Sequence, residues 1–280
     1  MQIDLLDVFA NGSLSGNPLA VVRGAEGLDA AAMLALTRWL GFSETTFLLP
    51  PEDPAADYRV RIFYPAGELP FAGHPTLGTA AAWLAAGGAP KVAGEVMQEC
   101  GVGLVPVRIE GESLAFRAPP LRRSGALDAT ERAEAIRVAG VSEADVIAAV
   151  HADNGPGWRL LHLRSAEAVL AARPVASAPV PTDVGLVGPH APGSPVAWEV
   201  RAFFADSTGT LKEDPVTGSL NAAIAQYLFE TGLAEGGYVA GQGQRIGADG
   251  RVSVRRDEAG DLWIGGTVRP VARDGSLGAL

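Results

Sequence analysis

Two stretches decide how this chain folds: Phe71-Ala72-Gly73-His74-Pro75-Thr76 and Glu213-Asp214-Pro215-Val216-Thr217-Gly218-Ser219. Each contains glycine and follows a strand-like run bearing aromatics, Ile62-Phe63-Tyr64 in one case and Ala202-Phe203-Phe204 in the other. Each also opens an alanine-rich helical pattern. Pro75 suits a first helical turn, where an N–H would have no partner in any case. Beyond it Leu77, Ala81 and Leu84 recur at helical spacing until Gly87-Gly88. Beyond the second entrance Leu220, Ile224 and Tyr227 do the same as far as Gly232. The entrances lie about 145 positions apart, which suggests internal duplication of a unit of about 130 residues. A mostly-β chain with two alanine-rich helices would give the same coincidence, so spacing alone leaves both readings open.

Around these entrances the chain reads as many short strands. Ile3 to Phe9, Thr46 to Leu49, Tyr58 to Phe63, Val102 to Ile109 and Leu114 to Arg117 mix β-branched or aromatic residues with partial alternation. A second set includes Arg159 to Leu163, Val184 to Val187, Trp198 to Phe204 and Arg251 to Arg255. Two further helices are expected, one from an Asp29 cap to Gly41 and one from Asp128 to Gly140. The stretch Pro119 to Asp128 is the candidate linker. It divides the chain into halves 1–118 and 119–280, with the final residues able to return to the first half.

Composition narrows the function classes. The 280 residues carry a net charge of −10, which opposes binding to a phosphate backbone, so no nucleic-acid partner is expected. No run of about 18 apolar residues offers a membrane span, and the first residues lack a secretory pattern; a cytoplasmic protein is the expectation. Cys100 is the lone cysteine, which removes a disulfide scaffold and reads as a small apolar filler. His74, His151, His162 and His190 show no metal-ligand spacing, so no metal is expected. Gly241-Gln242-Gly243-Gln244 matches neither common phosphate loop, and the five tryptophans are scattered enough to be core or interface residues.

A helix start presents amide N–H groups and partial positive charge, so Gly73-His74 and Gly218-Ser219 are two candidate anion sites, one per half. Ordinary capping by Thr217 or Ser219 is the plainer reading of either entrance alone. Ionisable neighbours add chemistry: His74 precedes Pro75, Asp214 lies shortly before Ser219, and Glu44 begins an apolar strand at Ser43-Glu44-Thr45-Thr46-Phe47. Taken singly, Glu44 is a solvated strand end and His74 a structural imidazole. Taken together, two acids and an imidazole beside two anion sites read as a general acid/base centre without metal or cofactor.

The chain resembles the PhzF-like (phenazine biosynthesis) family, of diaminopimelate epimerase-like fold. The resemblance is carried by Asp7-Val8-Phe9, Gly16-Asn17-Pro18-Leu19-Ala20-Val21, Ser43 to Phe47, Arg61-Ile62-Phe63, Glu68 to Thr76 and Glu213 to Ser219. It implies an α+β fold of two pseudo-repeated domains, each a β-barrel-like sheet around a central helix, with the active site in the cleft between them. It implies that Glu44 shuttles a proton and that His74, Asp214 and Ser219 assist. It further implies that amides around Ser43, Gly73 and Gly218 hold a substrate carboxylate, and that the protein is a homodimer. Cofactor-free epimerases of this fold use two cysteines, where this chain has His74 and Ser219. The expected function is therefore a cofactor-independent isomerase moving a proton on a small carboxylate-bearing metabolite. The alternatives are a racemase or epimerase of an amino or hydroxy acid, and a non-catalytic small-carboxylate binding protein.

Overall fold

The computed structural model describes residues 1–278. The chain forms two compact units, one of Met1–Arg117 together with residues from Gly265 onward, the other of Ala118–Ile264.

The first unit contains β1 (Gln2–Val8), β2 (Asn17–Arg23), α1 (Ala30–Leu40), β3 (Thr45–Leu49) and β4 (Tyr58–Tyr64). It continues through β5 (Gly67–Leu69), α2 (Gly73–Ala85), β6 (Glu95–Cys100), β7 (Gly103–Glu110) and β8 (Ser113–Arg117). Strand neighbours run β1–β2–β3–β4–β6–β7–β8 and then to the chain's last strand, Leu262–Ser276, which pairs back onto β1. The result is a closed ring of eight strands, with β5 added to β4. Closure removes the exposed edges of an open sheet.

Helix α2 is buried on nearly every side and packs against β1, β2, β3, β6, β7 and β8, so it runs inside the ring. Small residues make that possible: a side chain at Gly78 would collide with Leu19 and Val8. A helix apolar all round is one with no solvent face. Helix α1 covers the other side of β2–β4, where Met33 and Leu36 pack on Val22, Phe47, Leu49 and Phe63. Asp29 caps it and Gly41 ends it in the left-handed conformation, as the sequence indicates.

The second unit contains α3 (Ala129–Ala139), β9 (Val146–His151), β10 (Arg159–Leu163), α4 (Ala166–Ala171) and β11 (Asp183–Pro189). Then follow β12 (Trp198–Ala205), β13 (Leu211–Asp214), α5 (Gly218–Glu230), β14 (Tyr238–Gln242), β15 (Gly250–Arg256) and the start of that last strand, β16. The sheet order is β9–β10–β11–β12–β14–β15–β16, with β13 on β12. Helices α3 and α4 cover one face, where Ala135, Val138 and Val169 meet Leu161, Val184, Leu186 and Phe203. Helix α5 lies on the other face, close enough that a side chain at Gly185 would strike Leu220.

The two units repeat one plan. Both place two antiparallel strands, a helix, two more strands, a short hairpin strand, the central helix and then a strand parallel to the fourth. Register agrees as well. Thr45 pairs with Phe63 and Ile62 with Leu69, and α2 starts four residues after Leu69. Val184 pairs with Phe203 and Ala202 with Asp214, and α5 starts four residues after Asp214. Even a side-chain clamp recurs: Arg61 grips Glu68 at 2.8 and 2.6 Å and stacks over Phe63, while Arg201 grips Glu213 at 2.9 and 2.7 Å and stacks over Phe203. The duplication that spacing left open is present.

Some elements escape a sequence reading. Strand β2 is buried on both faces, so it shows no alternation, and its first residues look like a Gly-Asn-Pro turn. Helix α4 has only six residues, too few for a helical period. Trp39 does not join the core; it is 81% exposed on α1.

Candidate acid/base site

The sequence-chosen residues fall into two sets, one in each unit. In the first, Ser43 and Glu44 lie immediately before β3, while Gly73 and His74 are the first two residues of α2. The fold brings Glu44 and His74 together: Glu44 Oε2 is 3.4 Å from His74 Nε2, with the two side chains 18% and 6% exposed. Burial drives the His74 imidazole down to about 3, so it is neutral at physiological pH. On its other edge Nδ1 lies 3.4 Å from the amide nitrogen of Asn17. With Asn17 Nδ2 as the donor, Nδ1 accepts and the ring hydrogen falls on Nε2, the edge nearer Glu44.

Asn17 is fully buried, and the loop that delivers it is itself fixed. The Asp7 carboxylate accepts from the amides of Ser15 and Gly16 at 2.9 and 2.7 Å. Gly16 is required there because a Cβ would overlap the Val8 carbonyl. The chain of support runs from Asp7 through the loop to Asn17, from Asn17 to His74 and from His74 to Glu44. From the sequence, Asn17 reads as a turn residue; the signal that it does more is its place beside the Asp7 motif.

The start of α2 has no side-chain cap. Neither has α5, where Thr217 occupies the cap position but donates its hydroxyl to Asp214 Oδ2 at 2.6 Å. Capping is therefore not what Thr217 does. By contrast α1, α3 and α4 are capped by Asp29, Asp128 and Ser165. Neither central helix is thus capped by the side chain of its own N-cap residue. That is the arrangement an anionic ligand group would complete.

In the second unit Asp214 ends β13, and Gly218 and Ser219 are the first two residues of α5. Ser219 stands where His74 stands in α2. Its Oγ accepts from Trp158 Nε1 at 3.1 Å and its carbonyl accepts from Asn154 Nδ2 at 2.8 Å. Fully buried Gln242 holds the entrance loop, accepting from the Thr217 amide at 3.0 Å and donating to Thr217 Oγ1 at 2.9 Å and the Asp214 carbonyl at 3.1 Å. Asn221 donates to the same Gln242 oxygen at 2.9 Å. Trp158 is a scattered aromatic to a sequence reader, and Gln242 belongs to a stretch set aside as no phosphate loop. Only the fold shows that both hold the α5 entrance.

Cys100 ends β6, and burial pushes its thiol up, so it is not an activated nucleophile. Among the described residues no group of three or more metal-binding side chains is assembled. None of the described helices is long and apolar enough to cross a membrane.

The family described as phenazine biosynthesis-like protein, PhzC-PhzF, matches residues 6–267. Antisense-enhancing sequence 1 of Schizosaccharomyces pombe is 36% identical over 172 residues, a match spanning 59% of this chain and only 58% of that protein. The trans-2,3-dihydro-3-hydroxyanthranilate isomerase of Pseudomonas fluorescens is 32% identical over 237 residues, spanning 83% of this chain and 81% of that enzyme. Among solved structures, a "Predicted Epimerase" of Pseudomonas aeruginosa aligns with a TM-score of 0.79 and 32% identity over 99% of both chains. The chain belongs to the PhzC-PhzF family of phenazine biosynthesis-like proteins, beside relatives named as isomerases.

Proposed function

We propose that the protein is a cofactor-independent isomerase that moves a proton on a small carboxylate-bearing metabolite by general acid/base catalysis. The observation that carries this reading is the contact between the Glu44 carboxyl and a neutral, buried imidazole at an uncapped helix start. In this reading Glu44 takes a proton from an acidic C–H and returns it to a second carbon. His74 faces the Glu44 carboxyl without adding a charge of its own. In the first unit the amides around Ser43 and Gly73 are the proposed carboxylate donors; in the second, the Gly218 amide is the corresponding donor, with Asp214 and Ser219 as its polar neighbours. Acid/base assistance of this kind contributes about 10²–10⁴-fold, with positioning and charge stabilisation supplying the rest.

The test uses trans-2,3-dihydro-3-hydroxyanthranilate, the compound named for a relative, and a panel of small unsaturated carboxylic acids in deuterated water. Wild type is expected to incorporate solvent deuterium into at least one of them, and Glu44→Gln to lose that activity while keeping its fold. Equal incorporation by both proteins removes Glu44 from the mechanism.

A further inference from the structure

Helices α1, α3 and α4 are each fixed at the start by an N-cap side chain that accepts from a first-turn amide. Helix α2 is fixed from beneath instead. Thr76, its fourth residue, bonds the carbonyl of the N-cap residue Ala72 twice, through its own amide at 3.1 Å and through its hydroxyl at 2.9 Å. Behind Thr76 stands Gln98 of β6, fully buried, which donates from Nε2 to Thr76 Oγ1 at 2.9 Å. Behind Gln98 stands Tyr58 of β4, whose hydroxyl donates to Gln98 Oε1 at 3.0 Å. Burial pushes the Tyr58 phenol up, so it stays a neutral donor. With Gln98 Nε2 as the donor, the single hydrogen of the Thr76 hydroxyl is committed to the Ala72 carbonyl.

In the second unit α5 carries the same device in other residues. Asn221, again the fourth helical residue, bonds the Thr217 carbonyl through its own amide at 3.1 Å and through Nδ2 at 2.9 Å. A fully buried glutamine again backs it, here Gln242. The two glutamines do not correspond in register. Gln98 lies opposite Tyr58, whereas the residue opposite the equivalent Trp198 is Ala240, two places before Gln242. A hydroxyl in one half and an amide in the other, backed by glutamines from different strand positions, thus do one task. That points to a need of the helix start rather than to a copied sequence.

We infer that Thr76 and Gln98 are positioning residues for the Glu44–His74 pair, holding the start of α2, and the imidazole it carries, from inside the closed sheet. The Ala72–Gly73 peptide is trans, so with its carbonyl held along the helix its N–H points out of the helix start. His74 follows next in the chain, and its Nε2 lies 3.4 Å from Glu44. A capping side chain fixes a helix start by standing over it; bonds on the N-cap carbonyl fix it from the opposite side. A phenol, a glutamine and a threonine buried together are costly unless their bonds are made, and here they form one continuous chain ending on Ala72.

This inference rests on the acid/base reading of Glu44, and one experiment separates the two. Deuterium incorporation, with its kcat, KM and pH profile, and urea unfolding are measured for wild type, Glu44→Gln, Thr76→Val, Thr76→Ser and Gln98→Met. Thr76→Val keeps the volume and removes the hydroxyl. It and Gln98→Met are expected to lower kcat about 10- to 100-fold with KM little changed, and to displace the limb of the pH profile that Glu44 controls. Thr76→Ser, which restores the hydroxyl, is expected to recover most of the rate. Valine and methionine variants that lose stability yet match wild type in kcat and pH profile, with Glu44→Gln inactive, overturn this inference and leave the function standing. Full activity in Glu44→Gln overturns the function instead. Should wild type turn over none of the compounds, the nitrogen-15 shifts of the His74 ring decide. Shifts displaced in whichever of Thr76→Val and Gln98→Met folds, and restored in Thr76→Ser, support the role; shifts the same in all of them end it. If neither folds, the wild-type Gly73 amide decides by relaxation: an order parameter near about 0.85 supports a held helix start, and one below about 0.6 ends it.

Discussion

Glu44 Oε2 lies 3.4 Å from His74 Nε2, and the imidazole at that contact is neutral. The pair is therefore a carboxyl beside a neutral imidazole, not an ion pair between opposite charges. A neutral partner orients a proton-transferring acid without holding its carboxylate in a deep electrostatic well.

The first prediction concerns acid stability. In the unfolded chain an imidazole takes up a proton near 6.5, whereas His74 in the folded chain does so only at about 3. Between those values the unfolded state binds more protons, so the contribution of neutral His74 is present above 6.5 and lost as pH falls. Going from pH 7 to pH 5 is expected to remove about 2 kcal/mol through this group. Urea unfolding of wild type and His74→Asn across that range checks it, since the variant lacks this component of the slope.

Asn17 should matter out of proportion to its distance from Glu44. Asn17→Ala removes the donor that keeps Nδ1 unprotonated, and turnover is expected to fall by roughly 10-fold or more with KM little changed. Asn17→Asp should be worse, because a carboxylate accepts from Nδ1–H and draws the proton away from Nε2. Nitrogen-15 shifts of the His74 ring report the tautomer directly, and unchanged shifts in both variants would refute the assignment.

The repeated arginine clamps predict unequal energies from equal geometry. Arg201 and Glu213 are 4% and 10% exposed, and Arg201 also donates to the carbonyls of Val169 and Ala172, whereas Arg61 and Glu68 are 27% and 41% exposed. Arg201→Met should cost about 3–5 kcal/mol because it strands a buried carboxylate. Arg61→Met should cost no more than about 1 kcal/mol, since water already screens the pair. Paired denaturant titrations measure both.

Gly78→Ala tests whether the ring is filled to its limit by α2. The added methyl would press on Leu19 and Val8. A net loss of about 1–3 kcal/mol is expected despite alanine's better helix propensity. A rise in the thermal midpoint would mean that the ring holds slack around α2.

Much of this site was legible before any coordinates. Glu44 and His74 are picked out only in combination, since an acid opening an apolar strand and an imidazole at a helix start each read as structural when taken singly. Asp29 and Asp128 mark helix starts because capping is a local interaction, complete within four residues. Asn17, Trp158 and Gln242 were not legible as site residues. Their partners lie 57, 61 and 25 positions away, and no local pattern encodes such a meeting. The repeat itself stayed open for a related reason: halves with weak sequence identity can be aligned residue by residue only through strand register.

By itself the sequence determined which segments could be strands and helices, where the two glycine-containing helix starts would fall, and which acids and imidazole stood near them in the chain, because these depend on side-chain chemistry within a few residues. The tertiary structure alone decided that Glu44 and His74 meet, that burial keeps the His74 ring neutral, and that the two halves repeat one strand register. Protonation and pairing depend on burial and on neighbours distant along the chain, and those are set only when the sheet closes around its helix.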